Sequence, residues 1–107
     1  MIFIRYYKDL IVEDNIDIIK AKKLFSKGIS LFNVYAICVS PKTNGLMEIM
    51  STENLLKEVN SYGNYGIIAL VKGSNKARKK SVRLIENWLV THSDLTGFKS
   101  HYNQNSF

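Results

Sequence analysis

YGIIALVKGSNKARKKSVRLIENWLV, residues 65–90, places a strand, a turn and a helix in one stretch. The apolar run Tyr65 to Lys72 has strand composition and stops at Gly73. Ser74 can then cap a helix that runs to about His92. Ala77, Ser81, Leu84, Ile85, Trp88 and Leu89 recur at i, i+4, i+7, i+8, i+11 and i+12, so one side packs on a sheet. Lys76, Lys80, Arg83 and Asn87 lie opposite as a basic stripe, which in its plainest form is a solvated helix face. Lys76, Arg78, Lys79 and Lys80 crowd the first turns, where the helix dipole prefers Asp or Glu. An anion held at that helix end would reconcile them.

Upstream, Met1–Tyr7 is β-branched and aromatic and forms a first strand, with Leu10-Ile11-Val12 able to extend it. Asp14 or Asn15 caps a helix from about Ile16 to Lys27, which Gly28 ends. Leu31–Ser40 forms a second strand. The turn Pro41–Gly45 returns it into a third, Leu46–Met50, as a hairpin. Ser51 or Thr52 caps a short helix carrying Leu55, Leu56 and Val59 inward, and Tyr62-Gly63-Asn64 ends it.

The order β-α-β-β-α-β-α gives an α+β fold, an α/β sandwich: a ferredoxin-like β-α-β-β-α-β with an additional C-terminal helix. Residues 1–96 form the single domain and residues 97–107 a flexible polar tail. The second and fourth strands are apolar on both faces, which marks central strands covered twice. The last helix, a second copy of the chain or a different strand order supplies that cover. Self-association through a sheet face is therefore an expected partnership.

Composition narrows the class. The chain has 107 residues, 46% hydrophobic and 22% charged, which suits one globular domain. No run approaches the ~20 apolar residues that cross a bilayer, and Met1–Leu10 lacks the features of a signal peptide. The single Cys38 excludes an internal disulfide, and the cytoplasm is the expected location. The net charge is +6, with lysine over arginine by 12 to 3, a bias that AT-rich coding also favours. The excess is local: residues 1–60 carry eight cations against seven anions, and residues 61–107 seven against two.

An expected anion site follows from strand direction. With the first two strands running one way and the last two the other, the second and third helices begin at one edge. Ser51, Thr52, Gly73, Ser74, Asn75, Lys76 and Arg78 then converge there for a phosphate or carboxylate. Lys79, Lys80 and Arg83 continue it as a basic surface. Tyr7, Tyr62 and Tyr65 fall at the opposite edge, roughly 23 Å away for a seven-residue strand. Stacking and charge are thereby separated, and nucleic acid is disfavoured. The chain lacks a P-loop and a dinucleotide fingerprint, and no cofactor or metal is implied.

Catalysis has little to stand on. His92-Ser93-Asp94 holds triad residue types, but sequence neighbours rarely meet in triad geometry. Cys38 sits in an apolar strand as a small core residue. The acids Asp9, Glu13, Asp14 and Asp17 match no metal loop. The expected function is that of a small non-enzymatic binding module, as a homo-oligomer or partner subunit. The alternatives are an anion or nucleotide module at the two helix starts, and non-specific nucleic-acid binding through residues 72–83.

Overall fold

The computed structural model describes residues 4–41 and 44–107, with Tyr62 through its backbone only. The elements are β1 (Arg5–Val12), α1 (Ile18–Ser26), β2 (Val34–Val39), β3 (Glu48–Ser51), α2 (Thr52–Tyr62), β4 (Gly66–Lys72), α3 (Ser74–Thr91) and α4 (Phe98–Gln104). Met1–Phe3 of the expected first strand, and part of the Pro41–Gly45 turn, lie outside the described residues.

The fold is α+β, with one mixed four-stranded sheet ordered β1-β4-β2-β3. β1 pairs parallel with β4, and β2 pairs antiparallel with both β4 and β3. Thus β1, β3 and β4 run one way and β2 the other, which corrects the expected pairing of directions. The fourth strand is central, so the ferredoxin-like arrangement, with that strand at an edge, is not what forms. The physical reason lies in the α1 excursion. Nine helical residues reach only ~13 Å, and the chain re-enters the sheet at the edge it left. Val12 aligns with Leu70, and Val34 with Lys72. β3-α2-β4 is the one split crossover, spanning β2.

The doubly apolar strands are the two central ones, and both of their faces are covered within the chain. Ala21 and Phe25 of α1 and Leu55, Leu56 and Val59 of α2 pack on Val34, Ala36, Cys38, Ile67 and Leu70. Ala77 and Leu84 of α3 and Phe98 of α4 pack on Ile37, Val39, Ile68, Ala69 and Val71. The premise for pairing through a sheet face is thus met without a second copy.

Residues 97–107 depart most from expectation, because they are not a loose tail. Gly97 turns the chain at φ 85°, where a residue with a Cβ is strained, and α4 follows. Phe98 is fully buried. Tyr6 and Phe107 exchange both backbone hydrogen bonds at 3.0 and 2.8 Å, and Lys8 N–H donates to the Asn105 carbonyl at 2.8 Å. The Arg5 guanidinium donates to the Asn103 carbonyl at 3.0 Å and to its Oδ1 at 2.8 Å. The C-terminus therefore closes part of the open edge of β1. Gly66 lies beneath it, where a Cβ would come within 2.8 Å of Ser106 Oγ.

Helix starts also shifted. Ile16 N–H bonds the Glu13 carbonyl, a turn that moves the α1 cap on to Asp17, whose side chain accepts from Lys20 N–H. Gly73 at φ 82°, and not Ser74, is the cap residue of α3, and no side chain caps that helix.

Candidate functional site

β1, β3 and β4 all end at one edge of the sheet, where β2 begins. Tyr35 is aligned with both Ser51 and Val71, so the starts of α2 and α3 do share this edge. They leave it on opposite faces, because α2 packs with α1 and α3 with α4. Ser51 is committed to its helix, accepting from Asn54 N–H at 3.2 Å. Thr52 is fully buried, and its hydroxyl both donates to the Leu31 carbonyl at 2.8 Å and accepts from Leu31 N–H at 2.9 Å. Gly73 donates its N–H to the Asn33 carbonyl at 2.8 Å. Ser51, Thr52 and Gly73 are thus engaged by the fold, and the two helix starts do not face a common point.

The cations gather in a different place. Lys76, Lys79, Lys80, Arg83 and Asn87 form one wall of an open groove of about 570 Å³, with Ile11, Val12 and Val71 as apolar floor and Glu13 at one end. The wall is the stripe read from the sequence. Residues at i, i+4, i+7 and i+11 share a helix face, and Lys76 to Arg83 covers ~10 Å of helix axis. Ser74, Asn75 and Arg78 do not line the groove. Among the described residues, Lys79, Lys80 and Arg83 have no carboxylate partner, whereas Lys76 pairs with Glu13.

Glu13, which the sequence placed only among the acids near β1, is fixed by long-range contacts. Its N–H donates to the Leu70 carbonyl, which extends the β1–β4 ladder to the sheet edge. One carboxylate oxygen accepts from Lys76 Nζ at 2.9 Å, and the other accepts from Lys72 N–H at 2.6 Å. These bonds, that of Lys76 foremost, hold its carboxyl below the usual carboxylate range. The anion expected beside the α3 cations is therefore supplied in part by the chain. Its partners stand 59 and 63 residues away, a pairing that no local pattern could reveal.

Phe32 was also missed. The expected second strand began at Leu31, yet β2 starts at Val34 and Phe32 is 98% exposed. It stands between a hollow shared with Asp17, Lys20 and Lys72 and another shared with Ser51 and Glu53. Asn33 follows at φ 56°, in the left-handed region that asparagine tolerates, and this breaks the strand.

The tyrosines do not form the expected cluster. Tyr65 is buried on the α1–α2 face. Tyr7 packs on the other face, 4.8 Å between ring centroids from Tyr102 and sharing a hydrogen bond with His101 at 3.1 Å. The Tyr62 side chain lies outside the described residues. Burial pushes Tyr65 up to about 12, with Glu48 and Glu58 adding to the effect.

The residue types named for catalysis serve the fold. His92 stacks on Trp88 at 3.7 Å and shares a hydrogen bond with the Trp88 carbonyl. Asp94 accepts from Thr96 N–H through its carboxylate and from Trp88 Nε1 through its carbonyl. Cys38 is fully buried, and desolvation drives its thiol far above the ordinary range. Among the described residues no three metal-ligating side chains gather. Among the described residues no helix is long and apolar enough to cross a membrane.

No protein-family model, curated protein or solved structure matches this chain.

Proposed function

We propose that the chain is a non-catalytic binding module for a small phosphate-bearing anion, held in the groove between α3 and the end of β1. One observation carries the reading: Lys79, Lys80 and Arg83 line a single groove, and among the described residues no carboxylate pairs with them. Solvated helix faces in ordinary proteins intersperse both signs. Here, among the described residues, the only acid lining the groove is Glu13, and it bonds Lys76 Nζ and Lys72 N–H.

The volume falls in the range of small-molecule sites, roughly 300–1,000 Å³. An apolar floor beside a charged wall favours a ligand with a hydrophobic or carbon-rich body and one anionic end. Self-association, the reading first expected, has lost the uncovered sheet face that motivated it. The exposed Phe32 does not line this groove; its hollows belong to the α1 and α2 side. A cytoplasmic location remains in keeping with the single unpaired Cys38.

The test is calorimetric titration of inorganic pyrophosphate into the wild type and into Lys80→Glu/Arg83→Glu. Charge-assisted hydrogen bonds contribute ~1.5–3 kcal/mol each. Reversing two cations therefore lowers affinity by about 100-fold or more. Equal affinities in the two proteins would contradict the proposal, as would an equal loss in Ser51→Ala.

A further inference from the structure

Resting on that reading, we infer that the groove selects a phosphorylated polyol, with its phosphate at Lys80 and Arg83 and its hydroxyls on Glu13. Glu13 keeps acceptor capacity that the fold does not use. An ionised carboxylate presents about four acceptor positions. Lys76 Nζ and Lys72 N–H occupy one on each oxygen. The remaining positions belong to a side chain that lines the groove and is 22% exposed.

A carboxylate in a cationic groove sorts ligands by what they present. It repels a phosphate placed against it, so the anionic end of a ligand settles further along α3. Lys80 is one helical turn beyond Lys76, ~6 Å along the axis, and Arg83 most of a turn further. A ligand that reaches back from that point meets Glu13 with its other end. Only a hydrogen-bond donor is welcome there, because both carboxylate oxygens accept. A hydroxyl donates to an ionised carboxylate in a short, strong bond. A bare alkyl end leaves the carboxylate partly desolvated and gains nothing. A chain of about five carbons bearing hydroxyls spans the turn and rests its carbon skeleton on Val12 and Val71.

Glu13 thus acts as a specificity-determining residue, in addition to anchoring Lys76. The two roles separate experimentally. A purely structural Glu13 would influence every phosphate ligand alike, whereas a hydroxyl acceptor affects only ligands that carry hydroxyls.

The experiment titrates ribose 5-phosphate and n-pentyl phosphate into the full chain, as wild type and as Glu13→Gln. The readout is the ratio of the two affinities, in which the overall charge change of the variant cancels. The wild type is expected to prefer ribose 5-phosphate by about tenfold, the size of one charge-assisted hydrogen bond. In Glu13→Gln the preference falls by about that factor, and n-pentyl phosphate binds more tightly than it does to wild type. Glu13→Ala must lose the preference as well, which guards against a glutamine that still accepts. A wild-type ratio near one, with both ligands bound, overturns this inference and leaves the phosphate groove standing. A preference that survives in both variants overturns it too. If neither compound binds, the groove is not an anion site and both readings fall.

Discussion

Phe98→Ala removes the side chain that fastens the C-terminal segment to the sheet. Phe98 is fully buried against the α3 face, with its ring centroid 5.4 Å from that of Trp88 and 4.9 Å from that of Tyr102. Truncating a buried phenylalanine costs ~3–5 kcal/mol, the lower end applying where neighbours can collapse into the gap. α4 is short and terminal, so a value near 3 kcal/mol is expected. Against a typical total of ~5–15 kcal/mol this is a large fraction. It corresponds to a fall of about 12 °C in Tm, at ~4 °C per kcal/mol for a domain of this size. Urea unfolding followed by Trp88 fluorescence measures it, since the reporter touches the deleted ring. Amide exchange at His101 and Tyr102 should accelerate more than exchange in β4, because α4 loosens before the central strands open. A loss below about 1 kcal/mol, with exchange unchanged, would refute the reasoning and restore the loose tail that composition favours.

Three further outcomes follow from single contacts. Thr52→Val keeps shape but strands both the Leu31 N–H and its carbonyl; a loss of ~1–3 kcal/mol is expected in the same urea assay. Cys38 should resist a thiol reagent in mildly alkaline buffer and react at once in denaturant, because burial disfavours its thiolate. The Glu13 carboxyl is held below its unfolded value by Lys76 and Lys72. Its stabilising contribution is therefore present above the unfolded value, ~4.3 for a free glutamate, and is lost as pH falls through the lower folded one. Wild type and Glu13→Gln should accordingly differ in Tm at neutral pH and converge in strong acid; a constant gap across that window would contradict the pairing.

Periodicity carried α3 well. The side predicted to pack holds the buried Ala77, Ser81 and Leu84, and the opposite stripe lines the groove. The doubly apolar strands were legible as central and twice covered, because burial on two faces leaves no polar alternation. What no local pattern could supply was the order of strands. It depends on the chain returning to the sheet edge it left, through an α1 excursion whose geometry is set by long-range packing. α4 was masked by its polar composition; the available signal was Gly97 followed by Phe98 and Tyr102 at i, i+4. The site shows the same division. Lys76, Lys79, Lys80 and Arg83 share a helix face by spacing alone. Thr52 and Glu13 take their roles from partners 21 to 63 residues away. The two helix starts share the expected edge, but α2 and α3 leave it on opposite faces.

The most direct test of the groove is a two-dimensional ¹⁵N–¹H NMR titration of the chain with inorganic pyrophosphate at low ionic strength. The account predicts saturable shifts confined to amides of residues 76–87 and 11–13, with Ser51, Thr52 and Phe32 unmoved. Shifts centred on the start of α2, or none at all, would contradict it.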